Sequence, residues 1–339
     1  MLMEHHLFEQ PLVTICIPTY NRPDMLRMSL QSVLWQSYRN LEVIVSDNAS
    51  DSDTTAVVDS FGDVRVRVDR LEENIGLHGN LTRCLHLGSG IYRVMLPDDD
   101  LMLPGNVECK VAFFETHPQV GLVHSAFRYV NSDSLPYGPV NNWTSAQKDT
   151  VQPGYAYIGE SIAKGGITCV SSVMLRSDLV LNESFVVDDG PYCDLALWLR
   201  VAQRADVGFL TAPLSGYRVH PSSASSGFQT MKEVRGRVVL TPHHADAVKL
   251  AYGRFVENAN LDPEARAEYG RLQRASDRKM RLAIRVNRYV PRRMLRLAKR
   301  CLGWAKHGRI YHALSLYAAY APGPVDEGAV SATEPSRDE

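Results

Sequence analysis

The sequence predicts an α/β fold: a Rossmann-like, mixed but mostly parallel sheet flanked by helices, followed by a C-terminal helical extension. Three observations carry this expectation. Short β-branched apolar runs alternate with stretches of helical period through the first hundred residues. Three of those runs end in polar clusters, PTYNR, DNASD and PDDD. Further on, between Glu264 and Arg309, fifteen Lys/Arg face three Asp/Glu in a chain whose net charge is −1. The body is therefore acidic and its C-terminal appendage basic.

The elements follow in order. Residues 12–17 (LVTICI) read as a buried strand ended by Pro18. Pro23 suits the first turn of a helix, with Asn21 as its cap, and Leu26, Leu30, Val33 and Leu34 share one helical face. Residues 41–46 (LEVIVS) form a second strand, 54–61 a short helix and 64–68 a third strand. NIGLHGNLTRCLHLG reads as loop then helix, and residues 91–96 as a fourth strand. A helix follows Pro104 to about His117, and residues 120–130 return to strand. Residues 131–164 show no period and read as a long binding loop or lid. Residues 165–176 read as a strand, Asp194 opens a helix faced by Leu195, Trp198, Leu199 and Ala202, and residues 207–220 hold strand-like pieces. Helical period returns from about Met231 and includes the stripe Met294, Leu297, Ala298, Cys301, Trp304 and Ala305. The expected organisation is a catalytic-type α/β domain over 1–229, a helical region over 230–321 and a disordered tail over 322–339.

Other features set limits. The six cysteines, Cys16, Cys84, Cys109, Cys169, Cys193 and Cys301, form no CxxC pair and read as free, buried thiols in a reducing compartment. The adjacent pairs His5/His6 and His243/His244 read as surface residues. The first residues carry acids and no long apolar run, and no window approaches ~18 apolar residues. A cytoplasmic location is expected.

The stretch LPDDDLMLPG (96–105) poses the chemical question, because Asp98, Asp99 and Asp100 stand side by side. Unit charges ~4 Å apart repel by about 1 kcal/mol in water and about 4 at the effective dielectric near a protein surface. A hard divalent cation would relieve this; a solvated acidic turn, or acids at a helix start, is the plainer reading. If the first, second and fourth strands are neighbours, their polar ends converge where ligands bind in parallel sheets. Asp47 then either makes a turn or caps the next helix, or accepts hydrogen bonds from a nucleotide. Arg22 and Arg83 either face a diphosphate or are solvated, and Gly76 and Gly79 suit a tight loop. Asp194 is an N-cap or a general base, with Asp188 and Asp189 as rivals.

The order of these clusters resembles the family 2 glycosyltransferases: GT-A fold, inverting and nucleotide-sugar-dependent. The resemblance covers about residues 11–226 through IPTYNR (17–22), VSDNASD (45–51), ENIGLHGN (73–80), LPDDDLMLPG (96–105), CDLALWLR (193–200) and YRVHPSSAS (217–225). It implies that Pro18, Thr19, Tyr20 and Arg22 line a nucleotide pocket, with Asn48, Asn74, Gly76, Asn80 and Arg83 from the next motifs. Asp47 would hold the base, uracil or thymine, and Asp98 the ribose. Mg²⁺ or Mn²⁺ would sit among Asp98, Asp99 and Asp100, with His220, and Arg218 would approach the diphosphate. Asp194 would be the catalytic base, for which an ordinary carboxylate pKa of about 4 suffices. Cys193 stands where the family commonly has an acid. The segment 165–174 would neighbour a sugar, lipid-linked or natural-product acceptor.

Rival classes are a nucleotide-binding module without catalysis and another metal-dependent nucleotide enzyme. A nucleotidyltransferase wants a Gly-rich basic loop after the first strand, and a haloacid-type phosphatase wants its aspartates there; PTYNR is neither. Nucleic acid is not expected, since no aromatics interleave the basic helices. Those helices either cap the domain or a homodimer interface, or lie peripherally on the inner face of an anionic membrane.

Overall fold

The computed structural model describes residues 10–289 apart from 132, 142–143, 145, 166–167, 221, 224–230, 234–237 and 241. The chain begins β1 (Val13–Thr19), α1 (Pro23–Leu34), β2 (Leu41–Asp47), α2 (Thr54–Asp59), β3 (Val66–Arg70), α3 (Gly76–His86) and β4 (Tyr92–Met95). β1 pairs parallel with β2 and with β4, and β2 pairs parallel with β3. The chain thus steps outward from β1 to β3, then returns to the other side of β1. This reversal opens a crevice at the carboxyl ends of β1 and β4.

Next come β5 (Leu101–Met102), α4 (Asn106–Thr116), β6 (Val120–Val130), β7 (Pro136–Asn141), β8 (Thr150–Gln152), α5 (Gly154–Lys164), β9 (Val173–Arg176), α6 (Cys193–Ala202) and β10 (Asp206–Arg218). The sheet order is β3-β2-β1-β4-β9-β6-β10-β5, with β7 on β6 and β8 on β10. β9 is antiparallel to both β4 and β6, so β6 and the parallel β10 point the same way as β1. All six of these parallel strands, β1, β2, β3, β4, β6 and β10, end on one rim.

Strand alternation divides the core between the two faces. Val13, Ile15, Ile17, Val43 and Val45 pack with Leu26, Leu30 and Val33 of α1 and Val107, Val111 and Phe114 of α4. Cys16, Ile44 and Met95 face the other way, onto Cys84 and Leu85 of α3 and the apolar sides of α5 and α6. Each fully buried Ile or Leu among them contributes about 1.5–3 kcal/mol. α6 is buried nearly all round, from Leu195 to Leu199.

Beyond the sheet, β11 (Met231–Glu233) and β12 (Val238–Leu240) form an antiparallel pair, followed by α7 (Pro242–Asn258) and α8 (Pro263–Tyr289). Val248, Tyr252, Phe255, Tyr269 and Met280 of α7 and α8 join the same core cluster as α5 and α6. Up to Met280 the helices are a cap on the sheet's second layer. The stripe from Met294 to Ala305, the tail 322–339, Cys301 and residues 1–9 lie outside the described residues. No described helix is long and apolar enough to cross a membrane. Cys16, Cys84, Cys169 and Cys193 are free and buried, whereas Cys109, expected to be buried, is free and exposed on α4.

Several expectations are corrected. Residues 131–164 are not a structureless loop: they hold β7, β8 and α5. Pro136, Gly138 and Pro139 mask β7, which pairs on one side only, where proline is tolerated. α5 is masked by Gly154, whose place is dictated by proximity: a Cβ there would lie 1.8 Å from the Ala202 carbonyl oxygen. The strand expected over 165–176 is confined to β9, preceded by the 3₁₀ turn Val170–Ser172. The third strand begins at Val66, because Val64 is fully exposed. The region from Met231 opens as strand, not helix. Asn21 does not cap α1: it takes a left-handed conformation (φ 55°), and its Oδ1 accepts the Asp51 N–H at 2.7 Å.

Candidate active site at the sheet rim

β1 delivers Thr19 to the crevice, and the turn after β4 delivers the aspartates. Thr19 Oγ1 donates to Asp98 Oδ2 at 2.7 Å. Arg22, at the start of α1, reaches over both acids: its Nη1 is 3.2 Å from Asp98 Oδ1 and 3.1 Å from Asp99 Oδ2. His220, just past β10, places Nε2 3.1 Å from the same Asp99 oxygen. Asp100 points elsewhere, its Oδ1 accepting the Arg218 backbone N–H at 2.8 Å. The Arg218 side chain donates to the Asp99 carbonyl at 2.7 Å, to the Asn131 carbonyl and to Ser134 Oγ at 2.9 Å. Protein cations, Arg22 and Arg218, thus neutralise part of the acid run, in addition to any metal or solvent.

Burial sets the electrostatics. It pushes the Asp98 carboxyl up to about 7, with the neighbouring Asp99 charge adding to the shift and Arg22 opposing it. Burial, then Asp99, also drives Asp100 well above the usual carboxylate range. Such a pocket favours an incoming cation.

At the next strand end Asp47 is fully buried. Its Oδ1 accepts from the Ser50 N–H at 3.0 Å and Ser50 Oγ at 2.6 Å, and its Oδ2 lies 3.3 Å from Arg70 Nη1. It makes the turn; it does not cap α2, whose cap is Asp53 bonding Ala56 N. Arg70 carried no sequence signal because its role depends on β3 lying beside β2. Asn48 binds Thr19 through its backbone N–H and Asn74 through its side chain, and Asn74 accepts the Gly76 N–H, which fixes the start of α3. Asn80 and Arg83 reach back to Ser46, and Arg83 also pairs with Asp69. Pro18 is partly buried in β1, and Tyr20 is exposed at the rim.

Asp194 lies in the first turn of α6. Burial pushes its carboxyl up to about 6, against the backbone N–H groups of Leu195 and Asp194 itself, so the ordinary value of about 4 is not retained. Burial raises the phenol of Tyr157, the Asp194 charge adding to the shift, and Tyr157 bonds Thr168 Oγ1 at 2.8 Å. On the other side Asp100 acts on Cys169. The segment 168–172 is tied to the sheet by Ser215 Oγ, which donates to the Ser171 carbonyl at 2.8 Å, and to α5 by the Tyr157–Thr168 bond. Asp188 and Asp189, the rivals, are paired with Arg254 and Arg200.

The family profile Glycosyl transferase family 2 matches residues 14–180. The putative glycosyltransferase EpsE of Bacillus subtilis (strain 168) is 30% identical over 211 residues, which cover 59% of this chain and 69% of EpsE. An Escherichia coli protein, UDP-Glc:alpha-D-GlcNAc-diphosphoundecaprenol beta-1,3-glucosyltransferase WfgD, is 26% identical over 238 residues, covering 68% and 88% of the two chains. A Mycobacterium tuberculosis relative is spanned over 66% of its length, just under two thirds. Among solved structures, the mannosyltransferase PcManGT of Pyrobaculum calidifontis in complex with GDP-Man and Mn²⁺ superposes with a TM-score of 0.56 at 17% identity, covering 92% of this chain and 86% of that one. That likeness establishes the GT-A type of fold. Profile, relatives and fold agree, and the chain is a glycosyltransferase belonging to glycosyl transferase family 2.

Proposed function

We propose that the chain is an inverting transferase that moves a sugar from a UDP- or dTDP-linked donor to a hydroxyl of a lipid-linked acceptor. The observation that carries this reading is the Asp98–Arg22–Asp99–His220 cluster at the rim, which together with the half-buried Asp194 in the first turn of α6 supplies a cation site and a base. The acceptor class rests on WfgD, whose named acceptor is a diphosphoundecaprenol-linked sugar.

The site residues divide by chemistry. Thr19, Tyr20 and Arg22, with the turn built by Asp47 and Asn48, flank the nucleotide. Arg70 and Arg83 brace that wall from behind. The Asp99 carboxylate and His220 imidazole suit Mg²⁺ or Mn²⁺ as oxygen and nitrogen donors, and the buried Asp98 carboxyl, which lacks a full counter-charge, supports the fit. Among the described residues no three His, Cys, Asp or Glu side chains are grouped as a metal site, so Asp99 and His220 would hold the ion with help from the nucleotide's own oxygens. When bound, such an ion neutralises charge that grows on the departing diphosphate. Arg22 and Arg218 add fixed positive charge at the same place. Asp194 takes the proton from the acceptor hydroxyl as its oxygen bonds the anomeric carbon and the carbon–diphosphate bond breaks on the opposite face. Its raised pKa makes it a better base while leaving it mostly ionised at pH 7.

A panel of UDP-, dTDP- and GDP-sugars, with and without Mn²⁺, tests the reading. Mn²⁺-dependent binding and slow hydrolysis of a UDP- or dTDP-sugar support it. Binding of nucleotide without consumption of any nucleotide sugar would leave a binding module instead.

A further inference from the structure

The helix that carries Asp194 is entered through the 3₁₀ turn Val187–Tyr192, sequence VDDGPY. Nothing local makes that turn rigid; other elements hold it from three directions. From α7, Arg254 Nε lies 3.2 Å from Asp189 Oδ1, and its Nη2 lies 3.4 Å from Asp188 Oδ2. From α6, Arg200 Nη1 lies 3.3 Å from Asp189 Oδ2, while its Nε is anchored 2.8 Å from Glu183 Oε2. From α3, His78 Nε2 lies 3.3 Å from the Gly190 carbonyl oxygen. Gly190 itself has φ 73° and ψ −151°, a conformation essentially reserved for glycine. A Cβ there would stand 2.8 Å from Leu250 Cδ2, so α7 rests directly on the turn.

Asp189 is 5% exposed and shares its two oxygens between two guanidinium groups. Removing Arg254 leaves Asp189 with Arg200 alone, halves the compensation of a buried carboxylate and cuts the ionic tie between the turn and α7. Asp194 follows five residues later, in the first turn of α6, which begins at Cys193 directly after the turn. A displacement of about 1 Å at a reacting group costs on the order of 100-fold in rate.

We propose that Arg254 is a positioning residue for the reaction: through Asp189 and the Gly190 turn, the C-terminal helix α7 sets where Asp194 stands. This rests on the reading of Asp194 as the base. It gives the C-terminal helices a role in the chemistry, in addition to covering the core.

The test uses the full chain and UDP release from UDP-glucose with Mn²⁺, water being the acceptor. Arg254→Gln is expected to lower kcat on the order of 10-fold or more with the donor KM within about twofold of wild type. Arg254→Lys recovers most of the loss. In the Asp194→Asn background Arg254→Gln adds nothing, because the two act through one group. Hydrogen exchange quickens over residues 187–196 and stays unchanged in β1 and β2. Unchanged kcat in a folded Arg254→Gln, a loss additive with Asp194→Asn, or unaltered exchange over 187–196 overturns the inference while leaving the base assignment standing. Full activity in Asp194→Asn overturns the base assignment and the inference with it. If Arg254→Gln does not fold, Leu250→Ala, which removes the side chain of α7 that rests against Gly190, is expected to lower kcat in the same way, and a wild-type kcat in it overturns the inference.

Discussion

Thr19 Oγ1 donates to Asp98 Oδ2 across 2.7 Å in a buried contact, and that bond joins the last residue of β1 to the acid run after β4. The two strands are neighbours because the chain reverses its direction of travel at β1. A polar cluster at such a point is placed by topology, and its members are then sorted by their partners: Asp98 toward Thr19 and Arg22, Asp99 toward Arg22 and His220, Asp100 inward to the Arg218 backbone.

This sorting gives the first expectation. Asp99→Asn removes the carboxylate shared by Arg22 and His220, and Mn²⁺-dependent affinity for UDP falls at least about 10-fold. Calorimetric titration of UDP with and without Mn²⁺ measures it. Equal affinities in Asp99→Asn and wild type would show that Asp99 does not serve the ion.

The second concerns pH. Burial pushes Asp194 up to about 6, and a general base works only when deprotonated. The turnover rate should be flat above that pH and fall about tenfold per unit below it. A rate profile in kcat from pH 4.5 to 8.5 checks this; an acid limb centred near 4 would mean that the group is not in its buried setting during turnover.

A third addresses the core. Gly154→Ala drives a methyl group against the Ala202 carbonyl, 1.8 Å away, and costs about 1–3 kcal/mol. Calorimetry should show a midpoint lowered by about 2–4 °C for each kcal/mol lost. A wild-type midpoint would mean that α5 does not approach α6 as closely as described.

Lys110 supplies a fourth. It is completely buried on α4, its ammonium bonded to Asn106 Oδ1 at 3.0 Å, and burial pulls its pKa down to about 7. In the unfolded chain its pKa is about 10.4. The unfolded state therefore binds more protons between those values, and wild-type stability from this group rises with pH across the window. The stability of Lys110→Met relative to wild type should be greatest at and below pH 7 and should shrink toward pH 10. Denaturant melts at pH 7 and 10 measure the gap; a constant gap contradicts the burial of the charge.

Much of the first half of the fold is legible in the sequence. LVTICI and LEVIVS are β-branched runs that end at Pro18 and at Asp47, and Leu26, Leu30 and Val33 mark α1 by their spacing. These are local signals. The partners that sort the site are not local: Arg70 meets Asp47 only because β3 lies beside β2, and Arg218 meets Asp99 and Asn131 only because β10 crosses to the far side of β6. β7 and α5 were hidden by Pro136, Pro139 and Gly154, residues chosen for edge pairing and close approach and not for propensity.

The most direct measurement is single-turnover sugar transfer by Asp194→Asn, taken together with donor affinity and a thermal melt. The account gives a rate lower by on the order of 100-fold or more, unchanged donor binding, and a melt at pH 8 no lower than wild type, because an ionised Asp194 with a raised pKa burdens the fold above about pH 6. A variant that binds donor and transfers sugar at the wild-type rate would contradict it.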